Sequence, residues 1–312
     1  TVMPPIRTRP QRLLVLGGTG FVGSHLLARL AADGHRIVVL SRHRERHRAL
    51  EVLPTVRVKN ADIRDDAVLR RHLAGMDAVI NLVGILNPAR GAGFRDVHVE
   101  LVRRLIAAML DTGVPRLHQM SALKAGQGLS DYLKTRGEAE ALVKASPLRW
   151  TLYQPSVIFG AGDRLVRRFA RMLHWLPVLP LARSTARLAP THVGDVSAAI
   201  ARCVAGPGTG VGATLELAGP EVLTLGGIVA AIRTAAGLRT PILALPDSLG
   251  RVQAELAGLL PGTPFSLDNF RSLRTDSLAR SDGYATLGIQ PQAFTPWLPT
   301  LLGRAAGHGR RG

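Results

Sequence analysis

The chain has 312 residues, 46% of them hydrophobic and only 4% aromatic, enough to bury a large core as one domain or two. Forty lysines and arginines against 22 acids leave a formal net charge of +18, nearly all of it from arginine because only four lysines are present (Lys59, Lys124, Lys134 and Lys144). A lone cysteine, Cys203, excludes an intramolecular disulfide and a cysteine-rich metal site, and apolar runs that stop well short of ~18 residues exclude a transmembrane helix. Ten histidines are scattered without ligand spacing, which disfavours metal catalysis. The positive charge favours anionic partners, whether a membrane surface, an acidic protein or nucleic acid. An arginine skew of this kind also arises from genome base composition alone. Thr1–Pro10 carries prolines and arginines without the apolar centre of a signal peptide, so the expected compartment is a reducing cytosol.

The first element is an apolar strand, Leu13–Leu16, that runs into Gly17-Gly-Thr-Gly-Phe-Val-Gly23, followed by an apolar helical pattern. Glycines at 17, 20 and 23 in a strand–turn–helix context let a backbone approach a pyrophosphate closely, where a Cβ would block it. The helix that opens there directs its free N–H groups and positive dipole end at the phosphates. A second strand, Arg36–Leu40, follows that helix, and together these features point to a bound dinucleotide.

Further strand-like runs lie at Val56–Lys59, Ala78–Leu82, Leu117–Met120 and Trp150–Tyr153, separated by amphipathic stretches such as Asp66–Ala74 and Val99–Thr112. Alternating strands and helices imply right-handed crossovers, hence an α/β fold of Rossmann type: a doubly wound parallel sheet that binds ligands at the carboxyl ends of its strands. After Gln154-Pro155 the pattern changes. A basic helix over Asp163–Trp175 precedes prolines at 177 and 180, and short apolar segments run from Val222 to Leu302. Ala186–Val204 and Thr214–Leu217 are expected to return to the sheet. The reading is therefore a dinucleotide-binding domain over 11–155 with a returning segment 186–218, and a smaller C-terminal lobe from 156–185 and 219–303. Residues 1–10 and 304–312 are expected to be flexible tails. In the basic helix, Arg164, Arg167, Arg168 and Arg171 fall at i, i+3, i+4 and i+7, with Leu165, Val166, Phe169, Met172 and Leu173 on other faces and Trp175 at the end. That pattern suits a membrane-surface helix and, equally, a lobe helix with its arginines in water.

Seven segments in this order carry a resemblance: Gly17–Gly23, Ala61-Asp-Ile-Arg-Asp65, Asn81-Leu-Val-Gly84, Ser121-Ala122, Tyr132-Leu-Lys-Thr-Arg-Gly-Glu138, Pro155-Ser-Val-Ile-Phe-Gly160 and Pro190-Thr-His-Val-Gly-Asp195. Over nearly its whole length the chain resembles the extended or atypical branch of the short-chain dehydrogenase/reductase superfamily. Within it, the chain is similar to the NAD(P)-binding accessory subunit of respiratory complex I (the alpha-subcomplex subunit 9 family) and its bacterial relatives. The resemblance implies cofactor contacts from Gly17, Thr19, Gly20, Phe21, Val22, Gly23, Ser41, Arg42, Asp62, Ile63, Leu82, Val83, Gly84, Tyr132, Arg136 and Pro155. Asp62 would bond the adenine amino group, and the small residues ending the fourth strand would let the adenosine ribose lie against the backbone. After the second strand stands Ser41-Arg42 and no acid. An acid there would hold the ribose hydroxyl of NAD, whereas Arg42 suits the additional phosphate of NADP, so NADP(H) is favoured, with NAD(H) retained as the alternative.

In active members of this superfamily a tyrosine serves as general acid/base, a lysine four residues on lowers its pKa, and a serine orients the substrate oxygen. The matching residues here are Tyr132, Arg136 and Ser121. Arg136 stands where lysine is expected, on the tyrosine's face of the helix, while Lys134 points away. Arginine keeps the charge but brings a wide planar fork in place of a compact ammonium. His98 and Gln154 replace a customary asparagine and arginine. Two readings follow: a tightly held NADP(H) with weak or no turnover in a complex-I- or quinone-related role, or a working oxidoreductase or epimerase on a carbonyl or hydroxyl substrate that the sequence leaves unnamed. An NADP-sensing regulator is a third. Expected partners are the dinucleotide, and an anionic membrane surface or a respiratory protein complex on the inner face of the cell membrane. No helix-turn-helix or basic-aromatic surface supports direct nucleic-acid binding.

Overall fold

The computed structural model describes residues 9–42, 44–86, 93–250 and 267–303. Seven parallel strands form the main sheet: β1 (Arg12–Leu16), β2 (Arg36–Ser41), β3 (Val56–Asn60), β4 (Ala78–Asn81), β5 (Arg116–Met120), β6 (Arg149–Pro155) and, later in the chain, Ala213–Leu217. The last of these pairs with β6, and the spatial order places β1 between β4 and β2, with β3 at the far edge. The order reverses between β1 and β4, which opens a crevice at their carboxyl ends.

Side chains of β1 alternate between two cores, as a strand buried on both faces requires. Leu13 and Val15 pack with Leu26, Leu27 and Leu30 of α1 (Phe21–Ala32), alongside Val196 and Ile200. Leu14 and Leu16 face the other way, toward Leu69 of α2 (Asp66–Leu73), Leu105 and Met109 of α3 (Leu101–Thr112) and Val143 of α4 (Asp131–Ala145). Every residue of β5 is buried, including His118, whose Nδ1 lies 2.8 Å from the Tyr153 hydroxyl. Arg116 reaches from the same strand to the Arg149 carbonyl, the Thr151 hydroxyl and the Thr209 carbonyl, tying the loop before the seventh strand to the sheet.

Beyond β6 a third core forms between α5 (Leu165–Trp175), Leu179 and Leu181 of a short strand, Ile228, Val229 and Ile232 of the helix Leu225–Ala236, and Phe294 and Leu298. The helix anticipated from Asp163 starts at Leu165, because the Asp163 carboxylate accepts from the Val166 and Gly160 N–H groups and so stays outside the first turn. The helix anticipated from Val99 likewise begins at Leu101, preceded by a π-helical turn over Asp96–Glu100. The helix Val193–Ala205 follows the two-residue strand Thr191–His192, which pairs with Ile158–Phe159. Tyr284, far along the chain, returns to the sheet core and bonds the Thr191 hydroxyl at 2.5 Å.

Gly137, inside α4, positions that helix. A Cβ there would stand 2.3 Å from Gly126 Cα, in the loop joining β5 to α4, and the Gly126 N–H donates to the Leu133 carbonyl at 2.7 Å. Mid-helix Gly→Ala ordinarily stabilises by about 1 kcal/mol. Here overpacking reverses the sign, and Gly137→Ala is expected to cost about 1–3 kcal/mol in urea denaturation. An unchanged or raised midpoint would show that this loop can move away from the helix.

Candidate nucleotide site

The site grows from the β1–α1 turn. Gly17 adopts φ +75°, and a Cβ on it would lie 2.9 Å from the Leu82 carbonyl carbon and 3.0 Å from the Val83 nitrogen. Only glycine lets this turn press against the end of β4. A Cβ on Gly23 would fall 2.4 Å from the Gly18 carbonyl oxygen, so the first helical turn sits directly on the strand end. Gly20 is the N-cap of α1; no side chain caps it, and the first turn holds no acid. The orphan N–H groups of that turn and the positive dipole end are thus left for an outside acceptor. Thr19, Gly20, Phe21 and Val22 are at least partly exposed around this opening. A Cβ at position 20 would meet only the Gly17 carbonyl oxygen, at 3.2 Å.

On one side lie the ends of β2 and β3. The Asn60 amide donates to the Ser41 and Arg42 carbonyls at 3.2 and 3.0 Å, holding the segment that presents the exposed Arg42. Asp62 is gripped by Arg64: its carboxylate accepts from the Arg64 backbone N–H at 3.0 Å and from Nη2 at 2.7 Å. Those bonds, with a smaller electrostatic contribution from Arg42, hold the Asp62 carboxyl down at about 2. Ile63 packs partly buried on the α2–α3 side of the sheet.

On the other side, β4, β5 and α4 are bolted together by polar groups. Asn81 donates to the Gln119 side chain at 2.9 Å and accepts from the Val83 N–H at 3.1 Å. The π-turn places His98 between strand and helix: Nε2 accepts from the Ile85 N–H at 3.2 Å, and Nδ1 meets the Thr135 hydroxyl at 2.9 Å. Thr135 donates its own proton to the Asp131 carbonyl, so the proton in the ring pair belongs to Nδ1 and the imidazole is neutral. Burial and then Arg136 push His98 down to about 3. It is a bracket rather than a proton carrier near neutral pH.

Tyr132 is half-buried, edge-on to His98 at 5.5 Å between ring centroids. The Arg136 guanidinium lies 5.6 Å from the centre of the tyrosine ring, on the shared helix face. Its Nη1 donates to the Met120 carbonyl at 3.0 Å, and its Nη2 would stand 2.0 Å from a Cβ on Gly84, so that glycine makes room for it. The Arg136 Nε is buried without a partner. Ser121 differs from the expected substrate-facing role. It is buried at the end of β5, and its hydroxyl donates to Glu140 Oε1 at 2.6 Å. The reason is a buried carboxylate in need of donors: the Gln154 amide also donates to Oε1 at 2.6 Å, and Lys144 Nζ lies 3.2 Å from Oε2. Pro155 closes β6 beside this group.

Glu140, Thr135 and the Asn81–Gln119 pair escaped sequence reasoning. Arg136, Glu140 and Lys144 read along the helix as an ordinary i, i+4 charge series, and only packing reveals that the middle member is buried. Among the described residues, no group of three or more histidine, cysteine, aspartate or glutamate side chains could hold a metal ion. No helix among them is long and apolar enough to cross a membrane.

Residues 17–167 match the family model for NAD(P)H-binding domains. Among curated proteins, NADH dehydrogenase [ubiquinone] 1 alpha subcomplex subunit 9, mitochondrial, of Arabidopsis thaliana is 31% identical over 67% of this chain and 54% of its own length. The Mus musculus protein of the same name is 28% identical over 89% of this chain and 76% of its own. Ceramide reductase of Caulobacter vibrioides is 31% identical over 59% of this chain and 58% of its own. The chain spans little more than half the length of several curated relatives it matches, from 54% to 60%. In solved structures, the fold is similar to MoeE5 in complex with UDP-glucuronic acid and NAD, with a TM-score of 0.73 at 20% identity over 94% of this chain and 98% of that one.

The buried His98 makes stability depend on pH. With its pKa lowered from 6.5 to about 3, the unfolded chain takes up a proton that the folded chain refuses. Stability is therefore full above 6.5 and falls as pH drops toward 3. His98→Asn is expected to flatten part of the melting-temperature profile across that window, with the remaining slope carried by His35, His118 and His192, which burial lowers in the same direction, and at its acid end by the lowered carboxyls of Asp62, Glu216 and Asp276. A profile that kept its full slope would show that His98 titrates normally.

Proposed function

We propose that the chain, whose residues 17–167 match the NAD(P)H-binding family model and which is similar to complex I subunit 9, is an NAD(P)-binding protein of the extended short-chain dehydrogenase/reductase type that holds NADP(H) as a resident group with weak or no turnover. Its role on this reading is that of an accessory or redox-responsive component of quinone-linked respiratory machinery, the setting named for its mitochondrial relatives. The N-terminus of α1 binds the diphosphate, and Arg42 takes the additional phosphate of NADP(H) at the end of β2. The nicotinamide, when bound, would supply hydride chemistry at the far end of the crevice.

One observation carries the low-turnover reading. The two groups that should polarise a substrate oxygen and tune the tyrosine are both engaged with the protein itself: Ser121 with Glu140, and Arg136 with the Met120 carbonyl. A phenol titrates near 10 when unperturbed and needs a close cation at its oxygen to work near neutrality. Arg136 instead lies over the ring and spends a donor on a strand-end carbonyl. The second reading, an active oxidoreductase or epimerase, is favoured by Tyr132 and Arg136 keeping a common face. A ceramide-like lipid is then a natural substrate class, given the relative named ceramide reductase. An NADP-sensing regulator would use the same nucleotide contacts.

Two measurements test this. Thermal shift and calorimetry with NADPH and NADH should show NADPH at least ~10-fold tighter, the scale of one charge-assisted hydrogen bond. Arg42→Asp should erase that preference while leaving NADH binding intact. Equal affinity for both coenzymes in the unaltered protein would remove the NADP assignment, and no response to either would remove the nucleotide site. Separately, purified protein mixed with NADPH and a panel of ketones should turn over slowly or not at all, and Arg136→Lys should raise any rate by about tenfold. Brisk turnover abolished by Tyr132→Phe would establish the enzyme reading instead.

A further inference from the structure

Helix α5 packs on the third core through Val166, Phe169 and Leu173, which fixes which of its faces meets solvent. At 100° per residue, Arg164, Arg168, Arg171 and Trp175 fall within about 60° of one another, opposite that buried row, with Arg167 at the margin. Arg164, Arg167 and Arg171 are exposed and Arg168 is half-buried. Among the described residues, no carboxylate pairs with any of the four, although eleven ion pairs are formed elsewhere on the molecule. Arg164 and Arg171 repel Arg168, which burial already holds below its usual value. A crowd of like charges without counter-charges is destabilising on its own and is relieved by an anionic partner.

The apolar neighbourhood narrows the kind of partner. Trp175 ends the basic face with 75% of its surface exposed, and the loop after it exposes Leu176 at 38% and Val178 at 40%. Pro177 and Pro180 flank Val178 and limit the loop's freedom, so little entropy is lost on ordering it. The strand Leu179–Ala182 then pairs in parallel with Ile242–Leu245, which brings Leu243, 55% exposed, opposite Pro180. Nucleic acid would reward the arginines and could stack the indole, but it offers nothing to Leu176, Val178 and Leu243. A lipid surface rewards all of them: headgroup phosphates for the arginines, the headgroup boundary for the indole, and acyl chains for the aliphatic side chains.

We propose that the arginine face of α5, together with Trp175 and the 176–178 loop, is a docking surface for an anionic phospholipid bilayer. The surface lies on the lobe rather than on the nucleotide turn, so the proposal does not rest on the nucleotide reading. Each arginine at such a surface contributes about fivefold in binding, equivalent to about 1 kcal/mol.

The test is co-sedimentation of the full chain with vesicles of phosphatidylcholine containing about 30% phosphatidylglycerol, against phosphatidylcholine alone, at about 0.05 and 0.5 M salt. Binding should be confined to the anionic vesicles and largely lost at the higher salt. Arg164→Glu with Arg171→Glu should weaken it at least ~25-fold, with an unchanged thermal melt because both side chains are exposed. Tryptophan emission should shift to the blue on binding, and Trp175→Phe should remove that shift while sedimentation persists. No binding at low salt, equal binding to neutral vesicles, an unaffected double variant, or tighter binding to duplex DNA than to the anionic vesicles would each overturn the proposal.

Discussion

The close contact between the β1–α1 turn and the end of β4 is the constraint on which the rest depends. Gly17 lies against the Leu82–Val83 backbone and Gly23 against Gly18, so neither position accepts even a methyl group without movement. That contact brings an uncapped helix N-terminus over the point where strand order reverses. A turn held a little further out would still complete a sheet, but it would direct the free N–H groups away from the crevice. The narrow gap between this turn and the end of β4, and the free helix N-terminus above it, follow from this backbone geometry.

The side of the crevice formed by β4, β5 and α4 is organised differently, by buried polar groups that satisfy one another. His98 joins the chain after β4 to α4, Asn81 joins β4 to Gln119 of β5, and Glu140 gathers Ser121, Gln154 and Lys144. Each bond removes the cost of a buried unpaired donor or acceptor, and each also fixes a group that would otherwise be free to meet a substrate. Arg136 belongs to the same arrangement through the Met120 carbonyl. A crevice wall stiffened this way rearranges poorly, which is the physical link between these hydrogen bonds and the low turnover proposed.

The excess of positive charge is organised in part. Around Asp62 it is matched locally by Arg64, and along α2 and α3 by pairs such as Arg70 with Asp111. On α5 it is unmatched among the described residues and lies beside exposed apolar side chains. The same arginine-rich composition thus serves as ordinary surface pairing at some sites, Arg183 with Asp247 and Arg187 with Asp276 included, and as an unsatisfied patch on α5.

What the sequence determined by itself is the sheet and its opening. Strands buried on both faces leave continuous apolar runs, glycine spacing marks the one turn that needs glycine, and both signals are local, so they survive without knowledge of packing. Arg136 on the tyrosine's face is legible for the same reason, since helical spacing alone puts it there. The tertiary structure alone decided that Ser121 turns to Glu140, that His98 is a neutral bracket, and that Tyr284 returns to the sheet core some 90 residues after its partner Thr191. These depend on burial and on partners distant in the chain: a glutamate in an i, i+4 series reads identically whether it faces water or a serine hydroxyl. The arginine face of α5 belongs to both accounts. Periodicity placed the charges together, and only packing showed which face was covered and that Trp175 was left in solvent.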